Sequence, residues 1–178
     1  MRAARLVAGA LAGALCLGTP VRGAGGVDAR EAFARLKSLA GDWEGKVTGT
    51  EVTVPWQFRA TSAGDALIET LFAGSPGEMI SVYHLVGDEL FLTHYCFGNQ
   101  PRLRLDRSGS SAEVLRFAFD GGSNLDPARD SHLHSGWLRL VDGDTLEGEW
   151  LFFKDGKPRQ SGEMRLTRKS TLPTPARR

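Results

Sequence analysis

Apolar positions change their period once along the 178-residue chain. Asp28 and Glu31 read as a capping box, and Phe33, Leu36 and Ala40 then fall three and four apart on one helical face. Gly41-Asp42 stops this helix. Beyond it the period is two and the apolar runs are short, each bounded by turn residues. They cover Trp43 to Gly49, Pro55 to Thr61, Ala66 to Ala73, Met79 to Val86, Leu90 to Phe97, Arg102 to Asp106, Val114 to Asp120, His132 to Val141, Thr145 to Lys154 and Gly162 to Arg168.

The connections suit antiparallel hairpins. Gly87-Asp88 supplies a two-residue turn with glycine first, while Asp142-Gly143 and Asp155-Gly156 tolerate the mirror-image turn. Nothing between strands is long enough for a crossover helix, which excludes a parallel sheet. One longer connection, 121–130, has the character of a rim or binding edge. About ten short antiparallel strands must dispose of their unpaired edges, and closure into an up-and-down barrel does so, with the short N-terminal helix plugging or buttressing one end. Two facing open sheets are the rival arrangement. The expected fold class is all-β, and a barrel of more than eight strands has room for a ligand inside.

Two hairpins carry the candidate site. With Val86 opposite Glu89, Ser81 faces His94 and Tyr83 faces Leu92, so Met79, Ser81, Tyr83, Leu85, Leu90, Leu92, His94 and Cys96 share one side of the sheet. His84 falls on the other side, which argues against a joint site with His94. With Val141 opposite Asp144, Leu133, Ser135, Trp137, Leu146, Gly148, Trp150 and Phe152 form an aromatic face, and His132, His134 and Glu149 share the reverse one. His134 and Glu149 lie diagonally, as a carboxylate-oriented histidine or a solvated ion pair. The candidate ligand-binding residues are therefore His94, Tyr83, Leu92, His134, Trp137, Trp150 and Phe152.

Composition adds a destination. Arg2 and Arg5 precede an apolar run from Leu6 to Leu17, too short to span a bilayer, and Val21-Arg22-Gly23 suits a signal peptidase. Residues 1–23 are expected to be a cleaved signal peptide, 24–169 one domain and 170–178 a disordered tail, with the protein periplasmic or secreted and no transmembrane segment in the mature chain. Removing 1–23 takes three of the 22 basic residues, leaving 19 against 21 acidic ones, a net charge of −2. That balance lacks the basic footprint of a nucleic-acid binder. Cys96 becomes the sole cysteine, so no intramolecular disulfide forms.

Catalytic and cofactor motifs are sparse. No G-x-S-x-G elbow, Walker-type loop or dinucleotide fingerprint occurs. His132-Leu-His134 puts two imidazoles on one strand face, short of the three or four ligands zinc requires; hydrogen bonding to the neighbouring loop backbone explains them as well. No metal, cofactor or catalytic residue is assigned.

Leu36-Lys-Ser-Leu-Ala-Gly41-Asp-Trp43-Glu-Gly45 resembles the entry of a lipocalin-like, or calycin, barrel, where a short helix leads through Gly-x-Trp into the first strand. Gly41 and Trp43 match that motif. The resemblance implies a structural role for both and for a late arginine, Arg165 or Arg168, stacked on the tryptophan; Arg168 is taken as that residue. The mature chain is also similar to a group of uncharacterised bacterial secreted proteins of this fold, through Val82-Tyr83-His84-Leu85, Thr93-His94-Tyr95-Cys96, Gly98-Asn99-Gln100-Pro101, the Asn124-Leu125-Asp126-Pro127 loop and Glu149-Trp150. That similarity brings no activity. Related haem-binding barrels use a histidine late in the chain, and none follows His134; fatty-acid-binding relatives use inward arginines and a tyrosine, for which Arg102, Arg104, Tyr83 and Tyr95 are stand-ins. The leading expectation is a barrel binding a small apolar or amphipathic ligand. A hydrolase-type or metal-dependent enzyme using barrel histidines and carboxylates, and a structural protein with a filled barrel, remain the alternatives.

Overall fold

The computed structural model describes residues 26–48, 52–96 and 98–170. The expected signal peptide at 1–23 and all but the first residue of the expected tail, 171–178, lie outside them, as does Phe97. Helix α1 (Ala29–Lys37) precedes strands β1 (Gly41–Val47), β2 (Val54–Thr61), β3 (Ala66–Leu71), β4 (Met79–Val86), β5 (Glu89–Tyr95), β6 (Gln100–Leu105), β7 (Val114–Ser123), β8 (His132–Leu140), β9 (Thr145–Lys154) and β10 (Lys157–Arg168). All ten form one closed antiparallel barrel in which consecutive strands pair and β1 pairs with β10. Closure removes both sheet edges and rules out the two-sheet rival.

The Asp28 carboxylate caps α1, accepting from Arg30 N and Glu31 N at 2.9 Å each. Ala29, Ala32, Phe33 and Leu36 turn inward and cover one end of the barrel. Ala40, expected on that face, is exposed because the helix ends at Lys37; Leu39 is buried in its place. Arg30 reaches Asp88 at the β4–β5 turn, and Lys37 Nζ donates to Gly64 O, tying the helix to that rim. The other end, where β3, β5, β7 and β9 finish, carries no helix among the described residues.

Trp43 and Arg168 close the helix end. Trp43 is fully buried, its Nε1 donates to Leu39 O at 2.7 Å, and the Arg168 guanidinium lies 4.3 Å from its ring centroid. The same guanidinium donates to Ser38 O, Ala40 O and Gly143 O, so one side chain satisfies carbonyls at the end of α1 and in the β8–β9 loop. Above this layer Phe58, Leu67, Tyr83, Leu92, Leu103, Leu115, Phe117, Leu138 and Leu166 fill the lower half of the barrel.

The β4–β5 ladder has Ser81 opposite His94 and Tyr83 opposite Leu92, as the two-residue turn implies. The β8–β9 ladder corrects its expected register by one residue. Val141 N donates to Thr145 O, leaving Asp142, Gly143 and Asp144 as the loop, and Gly136 pairs with Trp150. The added loop residue turns Trp137 to the outer surface, where its Nε1 donates to Glu149 at 3.0 Å. A bulge at His134 restores the expected pairing only beyond it, at Leu133 with Phe152 and His132 with Phe153.

Candidate functional site

A cavity of about 400 Å³ occupies the upper half of the barrel, opposite α1. Trp56, Leu71, His94, Trp150 and Met164 form its buried wall. Val47, Phe72, Met79 and Phe152, half-buried, surround it nearer the open end together with exposed Ser131 and Arg159. Seven strands, β1 to β5, β9 and β10, contribute these side chains, with Phe72 and Ser131 standing just outside the ends of β3 and β8. Space for the Trp150 indole is made by Gly136 across the ladder, where a Cβ would stand 2.1 Å from the ring.

His94 on β5 enters the apolar wall, backed by buried polar groups on β3 and β4. Glu69 is fully buried between Leu67 and Leu71 on the inward face of β3. Its carboxyl accepts from Trp56 Nε1 at 2.9 Å and from Tyr83 Oη at 2.7 Å. Burial raises the Glu69 pKa, against the opposing effect of hydrogen bonds from Tyr83, Trp56 and Ser81. Ser81, opposite Glu69 on one side and His94 on the other, brings its Oγ to 3.0 Å from His94 Nδ1. Glu69, Ser81 and His94 thus form a chain across three strands.

His94 is 1% exposed and its Nε2 has no hydrogen-bond partner. Burial lowers its pKa to about 4, so the ring is neutral at physiological pH. With Glu69 ionised, Ser81 donates to the carboxylate and accepts from Nδ1–H, leaving Nε2 with a lone pair. With Glu69 protonated, Ser81 is free to donate to Nδ1, and Nε2 carries the proton. Trp150, a second residue of this wall, also carries a buried polar atom without a partner, its Nε1.

The expected site residues separate into three groups. His94, Trp150 and Phe152 line the cavity. Tyr83 and Leu92 face inward but belong to the filled layer beneath it, where Tyr83 packs edge-on against Phe117 at 5.8 Å. Trp137 is on the outer surface, and His134 stacks between Phe119 and Phe153, with ring centroids 5.0 and 3.7 Å away. The His132 Nδ1 donates to Asp130 O at 2.9 Å, and its Nε2 meets His134 Nδ1 at 3.1 Å, so this pair is spent on the loop and on itself. Among the described residues no group of three His, Cys, Asp or Glu is placed to hold a metal ion.

Glu69, Ser81 and Trp56 were not among the expected site residues. The available signal was an acid at the inward position of Leu67-Ile-Glu69-Thr-Leu71, where alternation calls for an apolar side chain. Cys96 is buried with its thiol pKa pushed up to about 11, the environment of an inert cysteine.

A ten-stranded closed meander with a helix across one end and a cavity at the other is a lipocalin-like barrel. Comparison with protein-family models and with curated protein sequences gives no match.

Proposed function

We propose that this protein is an exported binding barrel that holds a small apolar or amphipathic molecule in its upper cavity. The observation that carries the reading is the cavity of about 400 Å³, walled by Trp56, Leu71, Trp150, Phe152 and Met164 with the unpartnered His94 Nε2 among them. Its size is within the range of about 300–1,000 Å³ typical of ligand pockets, and a mostly apolar wall with few polar groups is their usual chemistry. Export rests on the charged and apolar leader at residues 1–23, which supports a location in the periplasm or medium. The Gly41, Trp43 and Arg168 arrangement supports kinship with the bacterial secreted barrels of this type.

Native mass spectrometry of the protein purified from its own periplasm or medium, repeated after denaturation, tests the reading. A small molecule released on denaturation is expected. A bare mass that stays bare with added apolar ligands returns the protein to the structural alternative, which at present describes the filled lower half only. Conversion of an added ester or glycoside to product would favour the hydrolase alternative, which rests on the same histidine.

A further inference from the structure

Two residues that line the cavity each carry a buried polar atom without a partner, His94 Nε2 and Trp150 Nε1. These residues are 1% and 5% exposed. A buried donor left unpaired carries a desolvation penalty, so each is a place where a ligand atom gains a hydrogen bond that solvent does not supply. The two come from opposed walls: His94 is on β5, Trp150 on β9, and the His94 ring stands 6.4 Å from Phe152, the inward neighbour of Trp150.

The chemistry of these atoms restricts what fits between them. Indole Nε1–H only donates, so the ligand must present an acceptor. His94 Nε2 is either a donor to that atom or an acceptor from its proton, according to the proton position in the Glu69–Ser81 chain. A carbonyl oxygen satisfies the first state and a hydroxyl the second. A charged carboxylate is poorly served, because among the described residues no cation stands on the buried wall, and burial of an unpaired charge is costly. The cation in the lining, Arg159, lies exposed near the mouth and is already paired with Asp155 at 3.2 Å.

We propose that the buried end of the cavity is a subsite for one uncharged oxygen, hydroxyl or carbonyl, on an otherwise apolar ligand. Trp150 Nε1 donates to that oxygen, and His94 Nε2 completes its hydrogen bonding. The inference rests on the binding reading above and narrows it to neutral alcohols, phenols, ketones and aldehydes.

The test uses four molecules of one shape: naphthalene, 2-naphthol, 2-acetylnaphthalene and 2-naphthoate. Each is titrated into 15N-labelled protein while the indole N–H signal of Trp150, assigned with Trp150→Phe, is followed by NMR. The naphthol and the ketone are expected to bind about tenfold more tightly than naphthalene, the effect of about one net hydrogen bond, and to shift that signal; the naphthoate is expected to bind weakest. Trp150→Phe, which keeps an aromatic ring but no donor, and His94→Phe should each reduce the preference for the naphthol and the ketone over naphthalene, measured within the same variant, to a few-fold. The outcome is then read by intrinsic fluorescence of the remaining tryptophans. Equal binding of naphthalene and naphthol, or tightest binding of naphthoate, overturns the subsite and leaves the binding barrel standing. Absence of binding by all four overturns both.

Discussion

Ser81 lies directly across the β4–β5 ladder from His94, and its hydroxyl is 3.0 Å from His94 Nδ1. That contact points the opposite nitrogen at the cavity and keeps a buried ring in one orientation. Burial holds the folded-state pKa at about 4, below the ordinary 6.5. Between those values the unfolded chain binds a proton that the folded chain refuses, so this group lowers stability as pH falls from 6.5 towards 4, by up to about 1.4 kcal/mol per unit. Urea denaturation of wild type and His94→Phe between pH 7 and 4.5 should therefore show a stability difference that shifts toward the variant as pH falls. A pH-independent difference would place the imidazole in water.

Glu69 has the opposite sign. Its folded pKa is raised by burial, so the folded chain keeps a proton that the unfolded chain has released. The stability contributed by this group is present below the ordinary carboxylate range and is lost as pH rises through the folded value. Glu69→Gln should gain on wild type as pH increases from about 4, in parallel denaturation curves. Glu69→Leu removes the acceptor of both Trp56 Nε1–H and Tyr83 O–H and should cost roughly 2–4 kcal/mol at neutral pH.

Gly136 determines where Trp150 lies. A Cβ there meets the indole at 2.1 Å and the Glu149 carbonyl at 2.5 Å, so neither ring nor strand has room to accommodate it. Gly136→Ala is expected to cost about 1–3 kcal/mol in chemical denaturation and to reduce uptake of an apolar dye by displacing Trp150. Unchanged stability with unchanged uptake would mean that the β8–β9 ladder is looser than its register indicates.

Arg168→Lys retains the charge and loses the planar fork that reaches Ser38 O and Ala40 O while covering Trp43. A destabilisation of about 1–3 kcal/mol is expected, with slower recovery of Trp43 burial on refolding monitored by fluorescence. Equal stability of the lysine variant would reduce Arg168 to a surface charge.

Legibility in the sequence followed turn geometry. At Gly87-Asp88 two residues join the strands, so alternation alone placed Ser81, Tyr83, Leu92 and His94 on one shared face, and closure of the barrel turns that face inward. At the β8–β9 connection a third residue enters the loop and a bulge sits at His134; neither leaves a mark in the period of two, and Trp137 was consequently assigned to the wrong side. The closed meander was readable because short alternating runs with short connections admit few other arrangements. Glu69 was not, because its partners arrive from β2 and β4 and the acid is conspicuous only once those strands are laid beside β3. The cavity wall was legible only in part: Trp56, Leu71, Trp150 and Met164 come from four strands, and which end remains unfilled depends on where α1 sits.

In this barrel every strand pairing joins consecutive strands except the seam between β1 and β10. Nine hairpins form from near neighbours at small loop-closure cost, while the seam must bring together the two ends of the domain, the slow kind of contact in a folding reaction. Trp43 and Arg168 are paired across that seam. If it opens, two bare strand edges face solvent at once, and an exposed edge is a template for pairing with another chain. The stacked arginine therefore guards against intermolecular strand exchange, and a variant that weakens it is expected to show its defect first as aggregation during refolding.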